Sequence, residues 1–141
     1  MAMVYVYIFN DLNKDTLSLR CKSKHDDLGG HALPVEANFH FTFKVNFWGT
    51  TLFWCNFNWG KNHGGSYDIF WYEDDLLYKC SYKTKNCTWH ARNDGIYSMG
   101  IPDNRFINFY YWKRRTVYFF FDGLSVNDDH QASSWLILHL E

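Results

Sequence analysis

Residues 39–47 read Phe-His-Phe-Thr-Phe-Lys-Val-Asn-Phe. Apolar and polar side chains alternate along the whole stretch, and a period of two is typical of a β-strand with one buried face. This alternation is the pattern of antiparallel sheets that rest one face on a core and expose the other to water. The stretch therefore predicts a strand that contributes Phe39, Phe41, Phe43 and Phe47 to the protein interior.

The same period continues on both sides of this strand. Further strand candidates are residues 4–9, 16–22, 51–59, 67–72, 76–82, 86–92 and 96–97. A charged loop is predicted from Lys22 to Gly30, and no segment has a helical period. Because alternating faces need a second sheet to cover them, the pattern predicts an all-β fold, an antiparallel β-sandwich.

Composition limits the functional classes. A length of 141 residues fits one domain, and 47% hydrophobic and 21% aromatic residues exclude a disordered chain. The net charge of −1 provides no general attraction to nucleic acid or to an anionic bilayer. No apolar run approaches the length of a membrane span. We therefore expect no nucleic-acid partner and at most peripheral contact with a membrane.

Four cysteines indicate the redox compartment. They are Cys21, Cys55, Cys80 and Cys87, and none of their spacings fits a zinc knuckle. Two disulfides in a secreted domain are the favoured interpretation, with neither metal nor cofactor. Asn86-Cys87-Thr88 matches the acceptor triplet for N-glycosylation.

Two groups of side chains offer chemistry. His25, Asp26, Asp27 and His31 could ligate a metal or act in a hydrolase, although an exposed loop is the simpler interpretation. No nucleophile elbow, phosphate-binding loop or zinc-protease motif is present.

An aromatic platform is the second possibility. Trp54, Trp59, Trp71 and Tyr72 could stack on sugars, which would make the protein a carbohydrate-binding module. The favoured interpretation is that most of these rings belong to the core or to the sheet faces.

Three blocks of sequence carry a family resemblance. They read Cys-Lys-Ser-Lys-His-Asp-Asp-Leu-Gly-Gly-His-Ala-Leu at 21–33, Phe-Thr-Phe-Lys-Val-Asn-Phe-Trp-Gly-Thr-Thr-Leu-Phe-Trp-Cys at 41–55 and Cys-Thr-Trp-His-Ala-Arg-Asn-Asp-Gly-Ile-Tyr at 87–97. Together they resemble the plant self-incompatibility S-protein homologue family. The resemblance implies a small secreted plant protein, a β-sandwich with two disulfides, in which Trp48, Trp54 and Trp89 occupy structural motif positions.

The resemblance also implies a function and a contact surface. Some members resembling this chain act as stigma-side self-incompatibility determinants that signal to pollen through a membrane partner, and many other homologues have no assigned role. We expect a secreted ligand of a plasma-membrane receptor protein, without enzymatic activity, and a monomer. The expected contact residues lie in two loops and are Lys24, His25, Asp26, Asp27, Lys83, Thr84, Lys85 and Asn86. The chain begins without a leader pattern, and we interpret it as the mature, extracellular form.

The disulfide pairing and the domain division complete the predictions. We expect Cys21–Cys87 and Cys55–Cys80, because Cys21 and Cys87 both lie in the apolar phase of their strands. The rival pairing is Cys21–Cys55 with Cys80–Cys87. Residues 1–99 are expected to form the sandwich, and residues 100–141 an extension, either an extra hairpin or a flexible tail.

Overall fold

The computed structural model describes residues 3–46, 48–71, 86–100, 105–114, 117–118 and 137–138. These residues form strands, and none of them belongs to a helix long and apolar enough to cross a membrane. The strands are β1 Met3–Asn10, β2 Leu17–Lys22, β3 Asp27–Leu33, β4 Asn38–Lys44, β5 Leu52–Trp59, β6 His63–Trp71, β7 Asn86–Arg92, β8 Gly95–Gly100, β9 Arg105–Tyr111, β10 Lys113–Arg114, β11 Val117–Tyr118 and β12 Ile137–Leu138.

Ten of these strands form two sheets of five. The first sheet has the order β4-β1-β7-β8-β9, the second has the order β10-β6-β5-β2-β3, and β11 pairs separately with β12. Neighbouring strands are antiparallel except for β1 and β7, which are parallel. The predicted all-β, antiparallel sandwich is thereby confirmed, with this one parallel pair as an addition.

The core forms where the alternating faces of the two sheets meet. In β1, Val4, Val6 and Ile8 are at most 1% exposed, whereas their neighbours in sequence face outwards. Trp89, Phe57 and Phe70 are the largest of the fully buried side chains. Burial of such rings contributes most of the hydrophobic free energy of a sandwich this small.

The strand that suggested the fold lies at an edge of the first sheet. Phe39, Phe41 and Phe43 of β4 pack against the core, as predicted, but each remains partly exposed. An edge strand has a neighbour on one side only, so its inward rings are incompletely covered. Phe47, which we placed on the same face, lies outside the described residues.

The predicted loop from Lys22 to Gly30 is wrong over its second half. A strand, β3, begins at Asp27 and pairs with β2 across a register shift between Arg20 and Lys22. Gly29 has a φ of 82°, which a glycine adopts without steric cost. The glycine pair therefore continues the strand past an irregular start and does not leave the segment as an open loop.

The sandwich continues beyond residue 99, where we expected the domain to end. Strand β9 completes the first sheet and β10 pairs with β6 in the second sheet. Residues 101–104, 115–116, 119–136 and 139–141 of the predicted extension lie outside the described residues.

Two tyrosines fasten this added segment to the second sheet. The Tyr67 hydroxyl accepts the N–H of Lys113 and donates to the Gly64 carbonyl, both at 2.8 Å. The Tyr110 hydroxyl donates to the Asp68 carbonyl at 2.8 Å, and burial raises the pKa of Tyr110 to about 12. These bonds join the last strands of the described domain to β6.

The disulfide pairing differs from the expected one. Cys21 is bonded to Cys55, so the predictions of Cys21–Cys87 and Cys55–Cys80 are wrong. Cys21 and Cys55 are direct partners on β2 and β5, with both side chains buried on the inner face of the second sheet. Cys87 lies on β7 in the other sheet and is itself disulfide-bonded, while Cys80 lies outside the described residues.

Candidate recognition surface

Connections between strands gather at two opposite ends of the sandwich. The Trp48 end contains the turn at residues 23–26 and the loop at residues 45–51, next to the first residue of β7. The Asn10 end contains the connections at residues 11–16, 34–37, 60–62 and 93–94. Connections held by a rigid sandwich are the usual place for binding residues, so the two ends are the candidate recognition surfaces.

A short network of hydrogen bonds builds the loop at residues 45–51. Asn46 exchanges two side-chain bonds with Thr50, because its Nδ2 donates to Thr50 Oγ1 and its Oδ1 accepts the Thr50 N–H, both at 2.9 Å. The Asn46 N–H also donates to Thr51 Oγ1 at 2.8 Å. Gly49 completes the turn with a φ of 70°. The Asn-Phe-Trp-Gly-Thr-Thr motif thus specifies the conformation of this loop.

Trp48 stands at the tip of the loop with 80% of its surface exposed. Its motif position led us to expect a structural ring, and that expectation is wrong. A large aromatic ring held in water costs hydrophobic free energy, and such rings are over-represented among the residues that dominate protein interfaces. The hydrogen bonds of the loop therefore hold Trp48 in an exposed position and do not bury it.

A cleft of about 510 Å³ separates this loop from the turn at residues 23–26. Lys24, His25 and Asp26 line it from the turn, and Trp48 lines it from the loop. The turn is held by two bonds between Ser23 and Asp26, one of 2.8 Å from the Ser23 N–H to the Asp26 carbonyl and one of 3.2 Å from the Asp26 N–H to Ser23 Oγ.

The expected contact residues divide between this cleft and its surroundings. Lys24, His25 and Asp26 are exposed and line the cleft, and Asp27 starts the adjacent strand. Asn86 is half-buried at the start of β7, where its register partner is Tyr5 of β1. Lys83, Thr84 and Lys85 lie outside the described residues.

The acidic and histidine side chains of the same region do not come together as a catalytic or metal site. Asp27 is held by Arg20, with the closest contact 2.6 Å from Arg20 Nη2 to Asp27 Oδ2. This hydrogen bond lowers the pKa of Asp27 to about 2. His31 instead contacts the Leu28 carbonyl through Nε2 at 3.0 Å and stacks on Phe39. No group of three or more possible metal ligands occurs among the described residues.

The hypothetical tryptophan platform is not formed. Trp59 is 7% exposed and packs in the core, with its ring stacked on His63. Trp54 lines the cleft, and Trp71 packs edge-on against Phe109. Trp54 and Trp59 are five residues apart in one strand, which places them on opposite faces. Tyr72, the fourth member of the platform, lies outside the described residues.

Sequence reasoning overlooked Lys44 and the exposure of Trp48. Lys44 is the last residue of β4, lies on its polar phase and lines the cleft. The sequence around Trp48 indicates a turn, because Asn46, Gly49 and Thr50 are turn residues, but it does not indicate which ring of the turn is exposed. That this turn lies beside the turn at residues 23–26 is visible only in the folded structure.

Comparisons with known proteins agree with this architecture. The family described as Plant self-incompatibility protein S1 matches residues 5–122. S-protein homolog 24 of Arabidopsis thaliana is 39% identical over 107 residues, which cover 76% of this chain and 67% of that protein. S-protein homolog 6 of the same plant is 37% identical over 107 residues and is covered to 74% of its length.

A solved structure gives the same fold. It is described as an SPH (Self-Incompatibility Protein Homologue) protein from a widespread family of small, highly stable, secreted proteins from plants. The likeness has a TM-score of 0.58 at 21% identity and covers 79% of this chain and 95% of that one. Taken with the sequence matches, these findings show that the chain belongs to the plant self-incompatibility protein S1 family, the S-protein homologues.

Proposed function

We propose that the protein is a secreted ligand that recognises a receptor protein on the plant cell surface through its Trp48 end. The observation that carries the proposal is Trp48 itself, 80% exposed and held there by the Asn46 network. The family relationship supports secretion, since a solved relative is described as a secreted plant protein. Exposed apolar side chains that form one patch mark interaction sites, and Trp48 lines the same cleft as Leu52 and Trp54.

The surroundings of Trp48 suit protein recognition. The cleft beside it combines apolar walls, from Leu52 and Trp54, with the charged side chains of Lys24 and Asp26. An aromatic anchor beside polar groups that set orientation is the usual anatomy of an energetic centre in an interface. We therefore assign receptor contact to the cleft and its rim, with Lys83, Thr84, Lys85 and Asn86 as further proposed contacts.

A binding assay on intact plant cells tests the proposal. We expect saturable binding of labelled protein that disappears when the cells are treated with protease. Trp48→Ala should weaken it by at least about tenfold, the effect expected of a central interface residue.

The matched control for Trp48→Ala is Tyr111→Ala. Tyr111 is also a large exposed ring, 71% accessible, but it lies at the last residue of β9, at the Asn10 end. Equal binding of the two variants, or binding that survives protease, would refute recognition through the Trp48 end.

We also propose that Asn86 carries an N-linked glycan. The triplet Asn86-Cys87-Thr88 directs Asn86 and Thr88 to the outer face of the first sheet, since Cys87 between them is buried. Protein secreted from plant cells should lose mass on treatment with a glycosidase, and Asn86→Gln should already lack that mass. An unchanged mass in the parent protein would disprove the modification.

A further inference from the structure

The cleft at the Trp48 end has an excess of positive charge. Lys24 lines it from the turn at residues 23–26 and Lys44 from the end of β4, and Asp26 contributes the carboxylate among its lining residues. Asp27, the nearest further carboxylate in sequence, is occupied by Arg20. Among the described residues no carboxylate lies within ion-pair distance of either lysine. Among the described lining residues, two lysine ammonium groups therefore face one carboxylate, and neither lysine is ion-paired.

Apolar side chains line the same cleft as the two lysines. They are Phe43, Leu52, Phe53 and Trp54. Leu52 is 38% exposed, although it begins a strand of the second sheet, whereas Phe53 beside it is buried. An occupant that matches this lining combines carboxylates with an apolar side chain.

The shape and the charges favour a peptide over other anionic partners. A cleft of about 510 Å³ is concave and can take a few side chains, whereas a bilayer surface needs a convex patch that inserts. Two lysines are too few for a polyanion that binds by releasing many counterions.

We propose that the cleft binds an acidic peptide segment of the receptor, with carboxylates at Lys24 and Lys44 and an apolar side chain against Leu52 and Trp54. This inference rests on the proposed function, because it specifies the partner of the same surface. A charge-assisted hydrogen bond to each lysine provides the affinity and fixes the direction of the segment. Trp48 closes over the apolar side chain from the loop.

A selection from a randomised peptide library displayed on phage tests the chemistry directly. We expect retained peptides to be enriched in Asp and Glu around one apolar residue. Synthetic copies should bind at least about tenfold more weakly to the double variant Lys24→Gln/Lys44→Gln. Peptides without acidic enrichment, or equal affinity for the double variant, would overturn the inference.

A second double variant provides the control. Lys14→Gln/Lys61→Gln removes the same charge from two exposed lysines at the Asn10 end. It should bind the selected peptides as the parent does. Vesicles of phosphatidylcholine with phosphatidylserine form a further arm, and binding that occurs on vesicles but not on peptides would assign the lysines to lipid and overturn the inference.

The cell-binding assay separates this inference from the proposed function. If Trp48→Ala abolishes cell binding while Lys24→Gln/Lys44→Gln leaves it unchanged, receptor recognition stands and the acidic segment is rejected. If neither variant alters cell binding, both are rejected. If both variants weaken it and the control pair does not, both are supported.

Discussion

Two asparagines show how differently the ends of the sandwich are built. Asn10 is fully buried, and its side chain bonds to the carbonyls of Asp15 and Leu33 at 2.9 and 2.8 Å and to the Leu12 N–H at 2.9 Å. Asn46 is exposed, and its bonds stay within its own loop. The first asparagine joins separate connections into one unit, whereas the second shapes one connection independently of the others.

Backbone hydrogen bonds show the same difference between the two ends. The Asn10 N–H donates to the Ala37 carbonyl at 2.9 Å, and its carbonyl accepts the Glu36 N–H at 2.8 Å. Near the Trp48 end, the Cys21–Cys55 disulfide joins β2 covalently to β5 instead. Where the polar groups of an end bond to one another, few hydrogen-bond donors and acceptors remain for a partner protein. The Trp48 end, in contrast, keeps charged and aromatic groups in water.

Removal of the Cys21–Cys55 disulfide should have the largest effect on stability. The bond closes a loop with a sequence separation of 34, so Cys21→Ala/Cys55→Ala should lower the free energy of unfolding by about 4 kcal/mol through loop-closure entropy. Urea unfolding at equilibrium measures this. Non-reducing peptide mapping should show Cys21 joined to Cys55, and we expect Cys80 joined to Cys87. A loss below about 1 kcal/mol would mean that the Trp48 end is held by other contacts.

Asn10→Ala should have the next largest effect. It leaves a buried N–H and two carbonyls without their partner, and each such group costs about 1–3 kcal/mol, so we expect a loss of about 3 kcal/mol. Thermal and urea unfolding both report it. If Asn10→Ala proved as stable as the parent, the Asn10 end would not be the hydrogen-bonded unit described above.

Asn46→Ala is the matched variant at the other end, and its effect should be smaller. Its bonds are exposed to water, which replaces them, so we expect a loss of about 1 kcal/mol or less. Binding to cells should nevertheless weaken, because Trp48 loses the support that positions it. A stability loss equal to that of Asn10→Ala would remove the distinction between the two ends.

The sequence predicts the strands well, because burial alternates along each strand and so does hydrophobicity. It does not predict which strands become neighbours. Cys21 lies in the apolar phase together with Cys87, yet register places it opposite Cys55 in the same sheet. The parallel pairing of β1 with β7 is equally invisible, since period two is the same in both directions.

Prediction of the candidate recognition surface from the sequence has the same limit. Lys24, His25 and Asp26 were found as a charged segment, but Lys44 joins them only because β4 ends beside their turn. Trp59 and Trp54 could be separated by counting, since an odd spacing in a strand reverses the face. The exposure of Trp48 depends on side-chain bonds from Asn46 across four residues, which composition does not reveal.

The smallest predicted effect is on stability in acid, and it concerns Asp27 at the Trp48 end. The Arg20 hydrogen bond and the Gly29 N–H lower the pKa of Asp27 from 3.8 to about 2. A group with a lowered pKa in the folded state stabilises it above the pKa of the unfolded state. This contribution is present above pH 3.8 and is lost as the pH falls towards about 2.

Asp27→Asn should therefore flatten the fall of the melting temperature between pH 4 and pH 2, while it changes stability little at low pH. Asp26→Asn is the control, because it removes the same charge from a neighbour that is not paired with Arg20. The pair is exposed and screened by solvent, so the difference in slope should be modest. Identical acid profiles for the two variants would mean that Arg20 and Asp27 do not hold the base of the turn in solution.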